Sequence, residues 1–388
     1  MKGIPLTLSF VALAIAACFG ESVENPAPLA VATRLAEHIE GDTDIKADTK
    51  LRVVDHLLTK RQFKEAKRLI DSLTDYRRAI GHSRLATAEW RINADADQLK
   101  AAITSAKPFS VRGENIAKDL AKMEMATAVA HVDSTAAQSL CKDIVDQEIK
   151  SQAELQLAVV NASLGSHFDL EKHRASIKAA TDKGPFPAGL MAASSLLNLA
   201  VKLAEQDKAK ALTLAANAGE LAGLCGVEHC EFNFNLSHFY FSLEQEEEAK
   251  KAFAKAIKDM EVLPDGYELK ATLYTSWAKL WKARGKQEDA INLLKRGAKL
   301  AEKLEPMQQP IVYAKLAGGL AQCDEGQLAT EYFKKAVDIS ASNPNPRVGL
   351  LGGIEVCLVH SELGQQLNPT LLDSLLKLTA SPALRSEP

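Results

Sequence analysis

Residues 274–306 read YTSWAKLWKARGKQEDAINLLKRGAKLAEKLEP, and this stretch decides the fold. Tyr274, Trp277 and Trp281 recur every three or four residues, the spacing of one face of an α-helix. Gly285 interrupts the pattern. A second helical run then opens on Glu288 and Asp289, continues through Ala290 and Leu294, and is closed by Pro306. Two helices joined by a tight turn make a hairpin that cannot bury its apolar face alone, so it needs neighbours of its own kind.

Those neighbours are in the sequence. A polar turn, an alanine, and an apolar residue one turn further on recur at Ala66, Ala102, Ala137, Ala175, Ala211, Ala249, Ala290 and Ala329. Breaks punctuate the run at Lys107-Pro108, Gly184-Pro185-Phe186-Pro187, Pro264-Asp265-Gly266 and Asn343-Pro344-Asn345-Pro346. Alternating strand patterns are absent beyond residue 45. Around Ala249 the supporting positions are Leu236, Tyr240, Phe253, Ala256 and Pro264, and around Ala329 they are Tyr313, Leu316, Ala317, Phe333, Ala336 and Pro344. Together with the quoted stretch these resemble the tetratricopeptide repeat. There are departures: Ser237, Ala278 and Ala317 occupy the family's small glycine position, and Glu244 and Asp324 occupy its turn glycine. The resemblance implies an all-α superhelix of about eight helical hairpins, degenerate over 45–227 and clearer over 228–344. A capping helix pair within 345–380 and a tail over 381–388 complete the expectation. Another α-hairpin solenoid of similar period is the alternative.

Met1 and Lys2 precede an apolar run from Ile4 to Ala17, too short to span a bilayer and patterned as a secretory signal. Ile15-Ala16-Ala17-Cys18 resembles a bacterial lipobox, which implies lipidation at Cys18 and a membrane-anchored protein on the periplasmic side of the cell envelope. Cleavage at Ala14-Ile15-Ala16 would instead release a soluble exported protein. Residues 18–44, with Pro26 and Pro28, read as a polar tether.

Composition excludes several classes. In 388 residues, 46% are apolar and 25% charged, values of an ordinary folded chain rather than a disordered one. The 47 Lys and Arg nearly balance 50 Asp and Glu, which argues against nucleic acid as a partner, since such binding rests on phosphate contacts. No phosphate loop, dinucleotide fingerprint, His-Glu-x-x-His or Gly-x-Ser-x-Gly is present, so no catalytic residues, cofactor or metal are expected. The one cluster of ligand-capable side chains is Cys225, Glu228, His229, Cys230 and Glu231. Its Cys-x4-Cys spacing is not a standard zinc pattern. A Cys225–Cys230 disulfide, thiols at a turn between units, packing residues, and metal or redox chemistry are the readings it leaves.

A solenoid's function sits on its concave face. By the resemblance, ligand contacts come from the first helix of each unit: Phe234, His238 and Phe241, then Thr275, Lys279 and Lys282, then Ala314, Gly318, Ala321 and Gln322. If exposed, Phe234 and Phe241 beside Lys279 and Lys282 suit an amphipathic segment ending in a carboxylate. A one-residue shift in register would turn Phe234 or Phe241 into core. The sequence thus points to an exported scaffold or adaptor for a protein or peptide partner. A small-molecule or glycan-binding solenoid is the second reading, and a metal-dependent or catalytic protein the third.

Overall fold

The computed structural model describes residues 27–165, 168–169, 171, 188–223 and 230–380. Among them are eighteen α-helices and no strand. The expected signal sequence, the lipobox-like segment with Cys18, Ala175, Cys225 and residues 381–388 lie outside the described residues. No described helix is long and apolar enough to cross a membrane.

The helices run α1 (Pro28–Glu37), α2 (Thr43–Thr59), α3 (Phe63–Asp71), α4 (Tyr76–Asn93), α5 (Ala96–Ser110), α6 (Asn115–Val129), α7 (Ser134–Lys142) and α8 (Gln147–Ser163). They continue with α9 (Ala188–Leu203), α10 (Lys208–Gly223), α11 (Cys230–Ser242), α12 (Glu246–Glu261), α13 (Glu268–Ala283), α14 (Gln287–Ala301), α15 (Gln309–Gln322), α16 (Gly326–Ser342), α17 (Pro346–Leu363) and α18 (Pro369–Lys377). The pairs α2–α3, α4–α5, α6–α7, α9–α10, α11–α12, α13–α14, α15–α16 and α17–α18 are consecutive along the chain, and their first helices stack in order, with α8 between α6 and α9, to form an inner layer. The fold is therefore the all-α superhelix that the periodicity predicts.

Local chemistry sets the helix ends. Asp42, Asp75, Asp95, Asp133 and Asp146 each accept backbone N–H groups in the first turn of the following helix, satisfying donors the helix cannot pair itself. The turn inside a unit repeats even more closely. Arg61, Glu244, Gly285, Asp324 and Gly364 all have positive φ, between 58° and 74°. In each case the next residue's N–H reaches back to a carbonyl in the last turn of the first helix: Leu57, Tyr240, Trp281, Leu320 and His360. Glu244 and Asp324 thus hold the left-handed conformation that glycine supplies at the equivalent turn. Arg61 shows the same turn in the first, degenerate unit.

The anchor alanines Ala66, Ala137, Ala211, Ala249, Ala290 and Ala329 are buried at 0–3% exposure. Ala102 is half-buried; in α5 the core is built by Leu99, Ile103 and Ala106 instead. The Lys107-Pro108 break also moves, because α5 carries Pro108 in its last turn and ends at Ser110.

The N-terminal segment corrects the tether reading. Residues 28–37 form α1, which buries Leu29, Val31, Ala32, Leu35 and Ala36, with Ile39 just beyond it, at 2% exposure or less. The physical reason is an apolar stripe at helical spacing, with Pro28 in the first turn where its missing N–H costs nothing. This stripe joins one continuous core with Leu350, Ile354 and Leu375. The pair α17–α18 is consequently not a free end cap: α1 lies against α17, and α2 lies beside it. Close approach there depends on Gly353, where an added Cβ would sit 3.2 Å from Leu35 and 2.7 Å from Leu378. The superhelix closes on itself, first helices against last.

Candidate functional site

The inner layer of helices bounds a cleft of about 240 Å³. Thr275, Ser276 and Lys279 of α13, Lys315 and Gln322 of α15, and Glu355 and Glu362 of α17 supply its polar walls, with Glu231 of α11 at one side. These residues recur at three- and four-residue spacing on each helix, which is how a single helix face meets the interior. Gly318 and Gly319 let the walls come together: a Cβ on Gly318 would lie 2.6 Å from Val359 of α17, and one on Gly319 3.3 Å from Thr275 of α13.

Charge is arranged unevenly around the cleft. Glu355 is 3% exposed and pairs with Arg52 of α2, across the closure of the superhelix. Glu362 lies 3.8 Å from His56, also of α2. Burial holds the His56 imidazole below its usual value, against the opposing pull of Glu362. Deeper along the inner layer Arg84 of α4 bridges Asp55 of α2 at 2.8 Å and Glu124 of α6 at 2.7 Å. Burial raises the Asp55 carboxyl in spite of Arg84. Lys279 and Lys315 differ: neither has an ion pair among the described residues, and Lys315 is half-buried. The Thr275 hydroxyl is likewise enclosed, with no hydrogen-bond partner among the described residues. On the α17 wall Glu355 is thus neutralised by Arg52, while the exposed Glu362 has only the neutral His56 ring beside it, and the α13–α15 wall presents two ammonium groups with no ion pair among the described residues.

Of the groove residues expected from sequence, the structure places Lys279 in the cleft wall, together with Thr275, Gly318 and Gln322. Phe234 is not a groove residue. It is 1% exposed, its ring 6.2 Å from Trp277 and 6.0 Å from Phe253. The exposed stripe of α11 runs Glu231, Asn235, His238 and Ser242, one residue out of register with Phe234. His238 is on that stripe and exposed, but outside the cleft lining. Phe241 is half-buried with the Arg284 guanidinium 3.9 Å from its ring centroid, a cation–π contact that covers it. Lys282 is spent on Asp324 at 3.3 Å. Arg52, His56, Glu355 and Glu362 have no counterpart in the sequence reading, because the closure that unites them joins opposite ends of the chain.

Cys225 lies outside the described residues, so the Cys225–Cys230 bridge has no geometry to report. Cys230 is fully buried at the start of α11, and burial pushes its thiol up to about 11, away from reactive thiolate. Its neighbour Glu231 faces the cleft.

No protein-family profile matches the chain, and no curated protein matches it. Among solved structures, the apo form of the quorum sensor NprR from B. thuringiensis is similar over 78% of this chain and 89% of that one, at 16% identity and a TM-score of 0.30. A circular tandem repeat protein with novel repeat topology and enhanced subunit contact surfaces is similar over 92% of this chain and 96% of that chain, at 12% identity and a TM-score of 0.24.

Proposed function

We propose that this protein is a non-catalytic binding scaffold that receives a protein or peptide segment in the cleft between α13, α15 and α17. The observation that carries the reading is the pair Lys279 and Lys315, without an ion pair among the described residues on one wall, while the buried Glu355 on the facing wall is met by Arg52. Unpaired ammonium groups beside Ser276, Thr275 and Gln322 offer charge-assisted hydrogen bonds to acidic or carbonyl groups of a bound chain. The cleft's small volume suits a short segment rather than a folded domain. Export and lipid anchoring through Cys18 belong to the same proposal, and would hold the scaffold at a membrane surface facing the cell envelope.

The test is site-specific photo-cross-linking in the native host. A photoreactive residue is placed at Ser276 or Gln322 in the cleft, and separately at Glu331, which is exposed on α16. A partner captured from the cleft positions, absent from Glu331, and lost in Lys279→Ala/Lys315→Ala supports the reading. Capture that is equal from all three positions, or from none, overturns it.

A further inference from the structure

The last unit carries a second concavity, on the other side of α17 from the cleft. Val359 and Glu362 face the inner cleft, whereas His360 faces a groove of about 760 Å³ between α16, the end of α17 and α18. That volume falls in the range of small-molecule sites, roughly 300–1,000 Å³. Its floor is apolar: Ala329, Phe333, Val337 and Leu371 are each 6% exposed or less. Rim charge is balanced: Lys334 and Asp338 lie one turn apart on α16, and Asp324 is paired with Lys282 at 3.3 Å.

His360 gives the groove a defined polar point. The residue is 5% exposed, and its ring lies 4.1 Å from Phe333, tilted by 44°. Its Nδ1 sits 2.9 Å from the Val356 carbonyl oxygen. A carbonyl only accepts, so Nδ1 carries the proton and Nε2 is left with a lone pair. Burial keeps the imidazole below its usual value and hence neutral at pH 7. Nε2 has no hydrogen-bond partner among the described residues, yet it is not sealed off as the enclosed unpaired atoms of this protein are. A nearly buried acceptor, fixed in orientation on a residue that lines the groove, is completed by a donor that arrives with a ligand.

We infer that this groove binds an uncharged aromatic small molecule bearing an O–H or N–H donor, with the ring on Phe333 and Leu371 and the donor on His360 Nε2. The site is independent of the inner cleft, and neither Lys279 nor Lys315 takes part.

Phenol and anisole test this directly, since they share a ring and differ in the donor. The full chain is labelled with nitrogen-15 at histidine and titrated with each compound. Phenol is expected to shift the His360 Nε2 resonance saturably and to bind up to about tenfold more tightly than anisole, the worth of one good hydrogen bond. In His360→Phe the two compounds should bind alike. A His360 Nε2 resonance unmoved by saturating phenol, or equal affinity for the two compounds in the wild type, overturns the inference. If His360→Phe loses its helical circular dichroism, the wild-type comparison alone decides between these outcomes.

Discussion

Arg52 and Glu355, 303 residues apart in sequence, form an ion pair that ties the second helix to the seventeenth. The pair is lopsided, with the Glu355 side chain 4% exposed and that of Arg52 45%. Removing the arginine strands a buried carboxylate, whereas removing the carboxylate leaves a guanidinium that water can reach. Arg52→Met should therefore cost about 2–4 kcal/mol and Glu355→Gln about 1 kcal/mol or less. Urea denaturation of both variants checks the asymmetry, and equal losses would contradict it.

The apolar part of the same closure predicts coupling at a distance. Leu35 of α1 is fully buried in one core with Leu350, Ile354 and Leu375. Leu35→Ala should cost about 2–5 kcal/mol, the usual range for truncating a buried leucine. Hydrogen exchange should rise within α17 as well as within α1, because each covers the other's apolar face. Exchange that accelerates in residues 28–37 alone would show that α17 is stable without α1.

How much of this was legible in sequence depended on distance along the chain. The hairpins of α11–α16 were readable because Tyr274, Trp277, Trp281 and Gly285 mark both helix face and turn within a dozen residues. Helix α1 was obscured by Pro26, Pro28 and polar flanks, and its stripe gains meaning only from a partner more than 300 residues away. Lys279 was legible from its register on α13. Phe234 was not, because a helix turns 100° per residue and a shift of one position separates it from the exposed Asn235. Glu355 and Glu362 belong to a helix that local reading treats as an end cap.

Glu244 and Asp324 stand in left-handed turns, at φ of 60° and 62°, where Gly285 supplies the same geometry at 74°. A side chain in that conformation costs about 1 kcal/mol, partly offset by the greater unfolded-state freedom of glycine. Glu244→Gly should accordingly be neutral to stabilising by up to about 1 kcal/mol, while Gly285→Ala should destabilise by about 1 kcal/mol. Asp324→Gly is a poorer test because it also releases Lys282. Thermal denaturation of the two single variants distinguishes the signs, and a destabilised Glu244→Gly would mean that the glutamate side chain contributes more than its backbone costs.

His131 predicts the direction of acid sensitivity. Its ring lies 4.5 Å from Trp90, its Nδ1 is enclosed with no partner among the described residues, and burial, reinforced by the positive charges of Arg91 and Lys202, lowers its pKa to about 4. An unfolded histidine titrates near 6.5, so between those values the unfolded chain binds the proton and the folded one does not. The neutral ring's contribution is fully present above pH 6.5 and is lost as pH falls toward 4. Allowing for the ring's partial exposure, the loss is about 2–3 kcal/mol at 1.4 kcal/mol per unit. His56, His82 and His360 are also lowered by burial and slope the same way, so the wild-type curve alone cannot isolate one ring. The difference between wild type and His131→Gln can, because the other histidines are common to both. Urea denaturation from pH 4 to 8 should show the two stabilities converging as the pH drops, and curves that stay parallel throughout would remove His131 from the account.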